Sequence, residues 1–342
     1  MFKIEDYLRT DVVSKSVSDK VNSCVDDLRL HLASLSERVN IAFTVGLYGS
    51  YGSGLASRSE SLVDVIVKLD SKRTRSLERG RLAQIVEFII QDWQMYENHV
   101  RPQDDTDLII CNTKVPGVTL RIWVCTSGLF EIEKLFHTRL FQSYGHSHTR
   151  VAIFISAVKR WAKSVDLSSS VVRDSCLFSG FHWTVLALVF LIEQHVVPNL
   201  HDLARESSEM PRMQFGANKD LDVFALIENP SHIATGHEVD DLFIGFIEWL
   251  SHTDLLTRVI DLRSVTVRQP NQRGYLVIHD PCKVSSVNTV NPLFHQRYQI
   301  VFGLKIRKAA SDCLDSLKQS RSISNLLYPP RGVFQRIDVA VP

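Results

Sequence analysis

Apolar residues recur at helical spacing from Ser16 to about Arg38, with Val21, Cys24, Val25, Leu28 and Leu32 on one face and Lys20, Asp26, Asp27 and Arg29 elsewhere. This spacing predicts an amphipathic helix. Runs of β-prone residues at Ile41–Val45 and Leu62–Leu69 predict strands, and between Arg79 and Tyr96 a helix turns Leu82, Ile85, Val86, Ile89 and Ile90 toward a core. Leu108–Cys111 and Val118–Val124 read as further strands. From Glu131 onward the pattern becomes almost wholly helical, over Glu131–Ser143, Arg150–Val165, Cys176–Gln194, Val239–Ser251 and Tyr298–Leu317. Polar connectors such as Arg205–Met213 and Asn229–Gly236 separate these helices, and only Arg258–Val267 and Gly274–His279 look extended. The expectation is an α+β chain. Residues 1–38 form a leading helix free to pack on the second domain, 39–126 a small α/β domain, and 127–342 a mostly helical domain. The cleft between the two domains is the expected site.

Composition narrows the classes of function. At 342 residues and 44% hydrophobic, the chain can bury two ordinary cores. Its 39 basic and 38 acidic residues leave a net charge of +1, so any contact with nucleic acid or membrane must be local. The six cysteines, Cys24, Cys111, Cys125, Cys176, Cys282 and Cys313, lack CxxC spacing, which predicts reduced, buried thiols in an intracellular protein. The most apolar run, Val185–Ile192, is too short to cross a bilayer. With no apolar leader at Met1–Tyr7, the chain reads as soluble, cytoplasmic or mitochondrial.

The stretch with the most chemical content is Leu47-Tyr48-Gly49-Ser50-Tyr51-Gly52-Ser53-Gly54-Leu55, followed by Leu62-Val63-Asp64-Val65-Ile66. Small residues between two strands make a turn in which backbone N–H groups can converge on phosphate, although the commoner role of such a turn is to join strands. The distance from Gly49-Ser50 to Asp64 resembles the signature of polymerase-β-like nucleotidyltransferases. Further along, Val158-Lys159-Arg160-Trp161-Ala162-Lys163 resembles the "VKrWAK" helix of terminal uridylyltransferases and non-canonical poly(A) polymerases. Phe178-Ser179-Gly180-Phe181 is similar to their "LSSY", Val239–Phe246 to the opening of their poly(A)-polymerase-associated segment (about 239–292 here), and Ile278-His279-Asp280-Pro281 to "IEDP". The motifs keep the family's order from Gly49 to Pro281. The compact length is similar to that of the minimal trypanosomatid uridylyltransferases.

The resemblance implies a nucleotidyltransferase domain followed by a helical poly(A)-polymerase-like domain. It also implies nucleotide-binding positions at Gly49, Ser50, Lys159, Lys163, Ser179, Phe181 and Asp280. In the family, three carboxylates hold two Mg²⁺ ions. Here the first position is Leu62, the second Asp64 and the third Arg121, so the catalytic set is not intact and Asp64 is left as a weak, residual metal ligand. Base-side positions depart too: His137 stands for a family asparagine, Phe181 for a tyrosine and Lys283 for a glutamate. The resemblance therefore implies an inactive relative that works as an RNA-processing accessory or scaffold. Its expected partners are RNA or an RNA-processing protein complex, with no membrane or DNA partner and no cofactor.

Other readings stay open on the residues alone. An active RNA 3′-terminal transferase using Mg²⁺ with UTP or ATP would draw on Glu60, Asp64, Asp105 and Asp107, but Glu60 and Asp64 are four apart and cannot act as two carboxylates one strand repeat apart. A non-catalytic nucleotide sensor is the third reading. Lys159 and Lys163 are equally readable as solvated lysines beside a buried Trp161, and Asp64 as an ordinary strand residue. Lys72, Arg73, Arg75, Arg79 and Arg81, like Arg268, Arg273 and Lys283, read first as solvated charge and second as an RNA contact. His137, His146 and His148 lack a fourth zinc ligand at suitable spacing, and Phe136, Phe141 and Tyr144 read as core.

Overall fold

The computed structural model describes residues 13–57, 62–70, 81–100, 107–126, 128–168, 178–206, 237–256, 258–263, 277–281, 296–319 and 327, with backbone alone for 128–133, 204–206 and 296–299. The chain divides into two compact units, one spanning Asp11–Gln142 and the other built mainly on Ser143–Pro342. The division falls within one continuous helix, α4 (Gly128–Ser147).

In the first unit, α1 (Lys15–Val39) leads into β1 (Ala42–Leu47), a single helical turn α2 (Gly49–Gly52) and β2 (Leu62–Asp70). Then come α3 (Arg81–Ile90), β3 (Tyr96–Val100), β4 (Leu108–Thr113) and β5 (Thr119–Cys125). The sheet order is β1-β2-β5-β4-β3. β2 and β5 run parallel at its centre, and the other neighbours are antiparallel. Alternation along β5 sends Leu120, Ile122 and Val124 to one face and Thr119, Arg121, Trp123 and Cys125 to the other. The first set joins Val63, Val65, Val67, Leu82, Val86 and Ile89 in one core, together with Val21, Cys24, Val25, Leu28 and Leu32 of α1.

The predicted face of α1 is therefore the buried one, and it packs on this unit's own sheet. Two side-chain bonds tie the helix layer together: Trp93 Nε1 donates to Asp27 at 2.6 Å, and His31 Nε2 lies 3.1 Å from the carbonyl of Ile89. Burial pushes Cys24 up to about 11 and Cys111 up to about 12, so both thiols stay protonated and inert at neutral pH.

The second unit comprises α5 (Thr149–Ser164), α6 (Gly180–Glu193), α7 (Leu200–Glu206), α8 (Val239–His252) and α9 (Gln296–Lys318). A two-residue parallel pair, β6 (Val259–Ile260) and β7 (Val277–Ile278), completes the described elements. α6 is buried on every side from His182 to Ile192, as a helix apolar around its whole circumference must be. Aromatic contacts fix its neighbours: Phe190 of α6 meets Phe246 of α8 edge-on at 5.5 Å, and Trp183 of α6 meets Trp161 of α5 edge-on at 5.9 Å. No helix among the described residues is long and apolar enough to cross a membrane.

Several element boundaries differ from expectation. The helix predicted over Arg79–Tyr96 stops at Ile90, and Tyr96–Val100 forms a strand that the sequence pattern did not reveal. Extended structure within Arg258–Val267 is limited, among the described residues, to Val259–Ile260. Leu200–Glu206 is a helix where a connector was expected to begin at Arg205. Gly49–Gly52 is a helical turn instead of a simple reversal.

Leu28 is fully buried between α1 and the sheet. Leu28→Ala is expected to destabilise the first unit by about 2–5 kcal/mol, read as a lower urea midpoint with an unchanged slope.

Candidate functional site

The Gly-Ser turn and Asp64 are brought together by backbone geometry. Tyr48 N donates to Asp64 O at 3.0 Å, which closes the strand exit directly on β2. Gly49 then takes φ +69°, and a Cβ there would stand 2.6 Å from Asp64 Oδ2. Only glycine meets both requirements, the left-handed backbone and contact with a carboxylate. Gly49 N donates to Thr138 Oγ1 at 3.1 Å, and Thr138 Oγ1 donates to Lys134 O at 2.8 Å. One backbone donor of the expected phosphate cradle is thus already engaged by α4. Ser50 lies in the same turn, its carbonyl accepting from Leu55 N at 2.9 Å and Ser53 Oγ at 3.2 Å.

Asp64 and Arg121 are register partners on the two central parallel strands. Arg121 Nε donates to Asp64 Oδ1, with side chains 22% and 11% exposed. A guanidinium cannot lose its charge at physiological pH, so it holds a permanent cation against the one acid of the expected set. Tyr48 completes this corner: burial and then the Asp64 charge push its phenol well above the usual range, against a smaller downward pull from Arg121. Leu62, one strand repeat from Asp64 and opposite Thr119, supplies no ligand atom.

Of the runner-up acids, only Asp64 and Asp107 lie among the described residues. Glu60 and Asp105 lie outside the described residues, and Asp107 joins the sheet opposite Val124, whose N donates to Asp107 O at 2.8 Å. That is three positions, or roughly 10 Å, along β5 from Arg121. No group of three or more His, Cys, Asp or Glu side chains that could hold a metal ion occurs among the described residues. The described residues do not fit a Mg²⁺ pair. A surface concavity of about 580 Å³ lies instead at the β4–β5 turn, lined by Glu97 and residues 112–119, including Lys114 and Gly117.

The second unit holds the other expected positions. Lys159 and Lys163 sit one turn apart on α5, the first partly buried and the second exposed. A Cβ on Gly180 would lie 3.1 Å from Lys159 Cε, so the lysine stem lies over the first turn of α6. Ser179 is the N-cap of α6 and forms a capping box with His182, whose Nδ1 accepts from Ser179 N at 3.2 Å and lies 2.9 Å from Ser179 Oγ. Its hydroxyl therefore has a structural role. Phe181 meets His182 edge-on at 5.6 Å and is only partly buried.

Asp280 is 2% exposed, two residues after the end of β7. Beside it is a cluster that sequence reasoning missed. Asp261 Oδ2 accepts from Arg263 at 3.0 Å and lies 3.1 Å from His279 Nδ1, while Asp261 Oδ1 accepts from Arg263 Nε at 3.1 Å and Arg263 N at 3.0 Å. The signal available in sequence was the Asp-x-Arg pair, which has many ordinary explanations. Of the three histidines considered for zinc, His148 caps α5 by accepting from Arg150 N at 3.1 Å, and His137 is buried. Lys72, Arg73, Arg75, Arg79, Arg268, Arg273 and Lys283 lie outside the described residues.

Burial raises the Asp261 pKa, but hydrogen bonds from His279 and Arg263 and the Arg263 charge outweigh it and hold the carboxyl well below the usual range. The unfolded chain therefore takes up this proton first as pH falls, so the stability Asp261 contributes is complete above the ordinary Asp pKa and is lost progressively below it. Urea midpoints across acidic pH are expected to fall more steeply in the wild type than in Asp261→Asn.

No protein-family model matches the sequence, and no curated protein matches it in a sequence comparison. Solved structures do match in fold. A cytoplasmic RNA terminal U-transferase aligns with TM-score 0.69 and 18% identity over 95% of this chain and 96% of that one. The GLD-2/RNP-8 complex aligns with TM-score 0.70 and 17% identity over 95% and 96%. mtPAP in complex with UTP aligns with TM-score 0.73 and 16% identity over 95% and 69%. The chain has the polymerase-β-like nucleotidyltransferase fold that terminal uridylyltransferases and poly(A) polymerases share.

Proposed function

We propose that this chain is a nucleotidyltransferase-fold protein without transferase chemistry, serving as an accessory or scaffold in RNA processing. The observation that carries this reading is the Arg121 guanidinium bonded to Asp64 at adjoining positions of the central strands. Two-metal phosphoryl transfer needs carboxylates converging on cations that activate the attacking hydroxyl and neutralise the leaving pyrophosphate. Leu62 provides no oxygen, and a divalent ion approaching Asp64 meets a fixed positive charge. Mg²⁺ with UTP or ATP is therefore no cofactor of this chain.

The role on RNA is proposed from the fold it shares with enzymes such as the RNA terminal U-transferase. A protein partner is equally in keeping with that fold, since GLD-2 has been solved with RNP-8. A second reading, a sensor that binds nucleotide without turning it over, is favoured by the position of Lys159 over the first turn of α6, where a cation and helix N–H groups can meet a phosphate.

Incubation of the pure protein with an oligo-RNA and each nucleoside triphosphate, in Mg²⁺ or Mn²⁺, is expected to yield no extended product. A ladder that disappears in Asp64→Ala would sink the proposal. Stability provides an independent sign. Removing one of several mutually repelling metal ligands relieves strain and raises stability. Asp64→Ala here removes the carboxylate that accepts from Arg121 and is expected to lower stability by about 1–3 kcal/mol, measured by urea denaturation. UTP or ATP raising the melting temperature would favour the sensor.

A further inference from the structure

α5 and α6 both begin on a histidine. His148 is the N-cap of α5, and its Nδ1 accepts from Arg150 N at 3.1 Å. His182 holds the third position of α6, where its Nδ1 accepts from Ser179 N at 3.2 Å and lies 2.9 Å from Ser179 Oγ. The side chains preferred at such places are serine, threonine, aspartate or asparagine at the cap, and glutamate or glutamine three positions on. None of these loses its acceptor between about pH 5 and 8, whereas a histidine nitrogen does.

A backbone N–H only donates, so each Nδ1 must keep its lone pair for the cap to exist. Both rings are therefore neutral in this arrangement, with the proton on Nε2. A proton added at Nδ1 turns the acceptor into a donor facing another donor, Arg150 N in one case and Ser179 N in the other. It also sets a cation at a helix start, where the macrodipole favours anions. At α6 the neighbouring charge opposes protonation as well, since the Lys159 stem lies over the first turn. His182 is 5% exposed there, with Phe178 stacked on it at 4.9 Å and Phe302 of α9 against Phe178 at 4.8 Å. At α5, Arg150 donates to His237 O at 3.0 Å and lies 3.5 Å from Glu238 Oε1, just ahead of α8, and His146 is exposed two positions before the cap.

We propose that His148 and His182 form an acid-sensitive pair of caps, so that protonation releases the first turns of α5 and α6. The fold uses the neutral rings, so the stability these caps add is complete above the ordinary histidine range and is lost as pH falls below it. That window lies above the carboxylate range in which Asp261 takes up its proton, so the two acid effects separate on a pH axis. The two helices pack on each other through Trp161 and Trp183, which places both released turns in one helical layer.

The test is hydrogen exchange by NMR on the full, ¹⁵N-labelled chain, corrected for the intrinsic pH dependence of exchange, between about pH 7.5 and about pH 5. The amides of Arg150 and Ser179 are expected to lose about tenfold in protection as pH falls, the size of one cap. Leu242 N, bonded to Glu238 O at 3.1 Å in a helix start without a side-chain cap bond, is expected to stay unchanged. Imidazole ¹⁵N shifts at neutral pH are expected to show both Nδ1 atoms without a proton. His148→Asn combined with His182→Gln keeps an acceptor at each place that does not titrate in this range, and is expected to flatten the response. Unchanged protection in the wild type, an equal loss at Leu242, an equal loss in the double variant, or a protonated Nδ1 at neutral pH overturns the proposal. If the double variant does not fold, the imidazole shifts and the comparison with Leu242 decide it in the wild type.

Discussion

Asp64 and Arg121 occupy the same register step on β2 and β5, which pair in parallel, so their side chains meet without any loop having to bring them together. Separating them requires breaking the most central pairing of the first unit. The ion pair is largely screened from water, with Arg121 the more exposed partner, and neither charge can be removed without leaving the other behind. The turn at Gly49 depends on the same corner: Tyr48 bonds to the Asp64 backbone and Gly49 packs on the Asp64 carboxylate. Asp64 is a joint between two strands and a turn.

The same pattern of internal satisfaction recurs in the second unit, considered by itself. Ser179 is committed to the N-cap of α6 through His182. Asp261 gathers Arg263 and His279 around the short β6–β7 pair, which gives that pair cross-links that its two residues per strand could not provide. Ser179, which sequence alone marks as ligand-facing, thus carries a structural bond. The Lys159 stem lies over the start of the same helix.

Much of the architecture was legible in the chain. The 3.6-residue spacing of Val21, Cys24, Val25, Leu28 and Leu32 identified the buried face of α1, and the dense apolar content of α6 announced a central helix. β3 was hidden, because Tyr96-Glu97-Asn98-His99-Val100 has little alternation and owes its extended form to pairing with Cys111, Asn112 and Ile110. Leu200–Glu206 was hidden for a similar reason: its start is held by Leu200 N donating to the buried Tyr144 hydroxyl, a bond between residues 56 positions apart.

For the site, the order of residues determined which side chains exist: a leucine, an aspartate and an arginine at the positions where carboxylates are expected, and a glycine where the chain must turn. No local rule could say that the arginine would bond to the aspartate, since residues 57 positions apart become neighbours only through strand register. Nor could it say that α1 would cover the sheet, because an amphipathic helix records that it has a partner without recording which one. Periodicity is written in consecutive residues and can be read from them. Pairing is a property of two distant segments at once, and only the folded chain decides it.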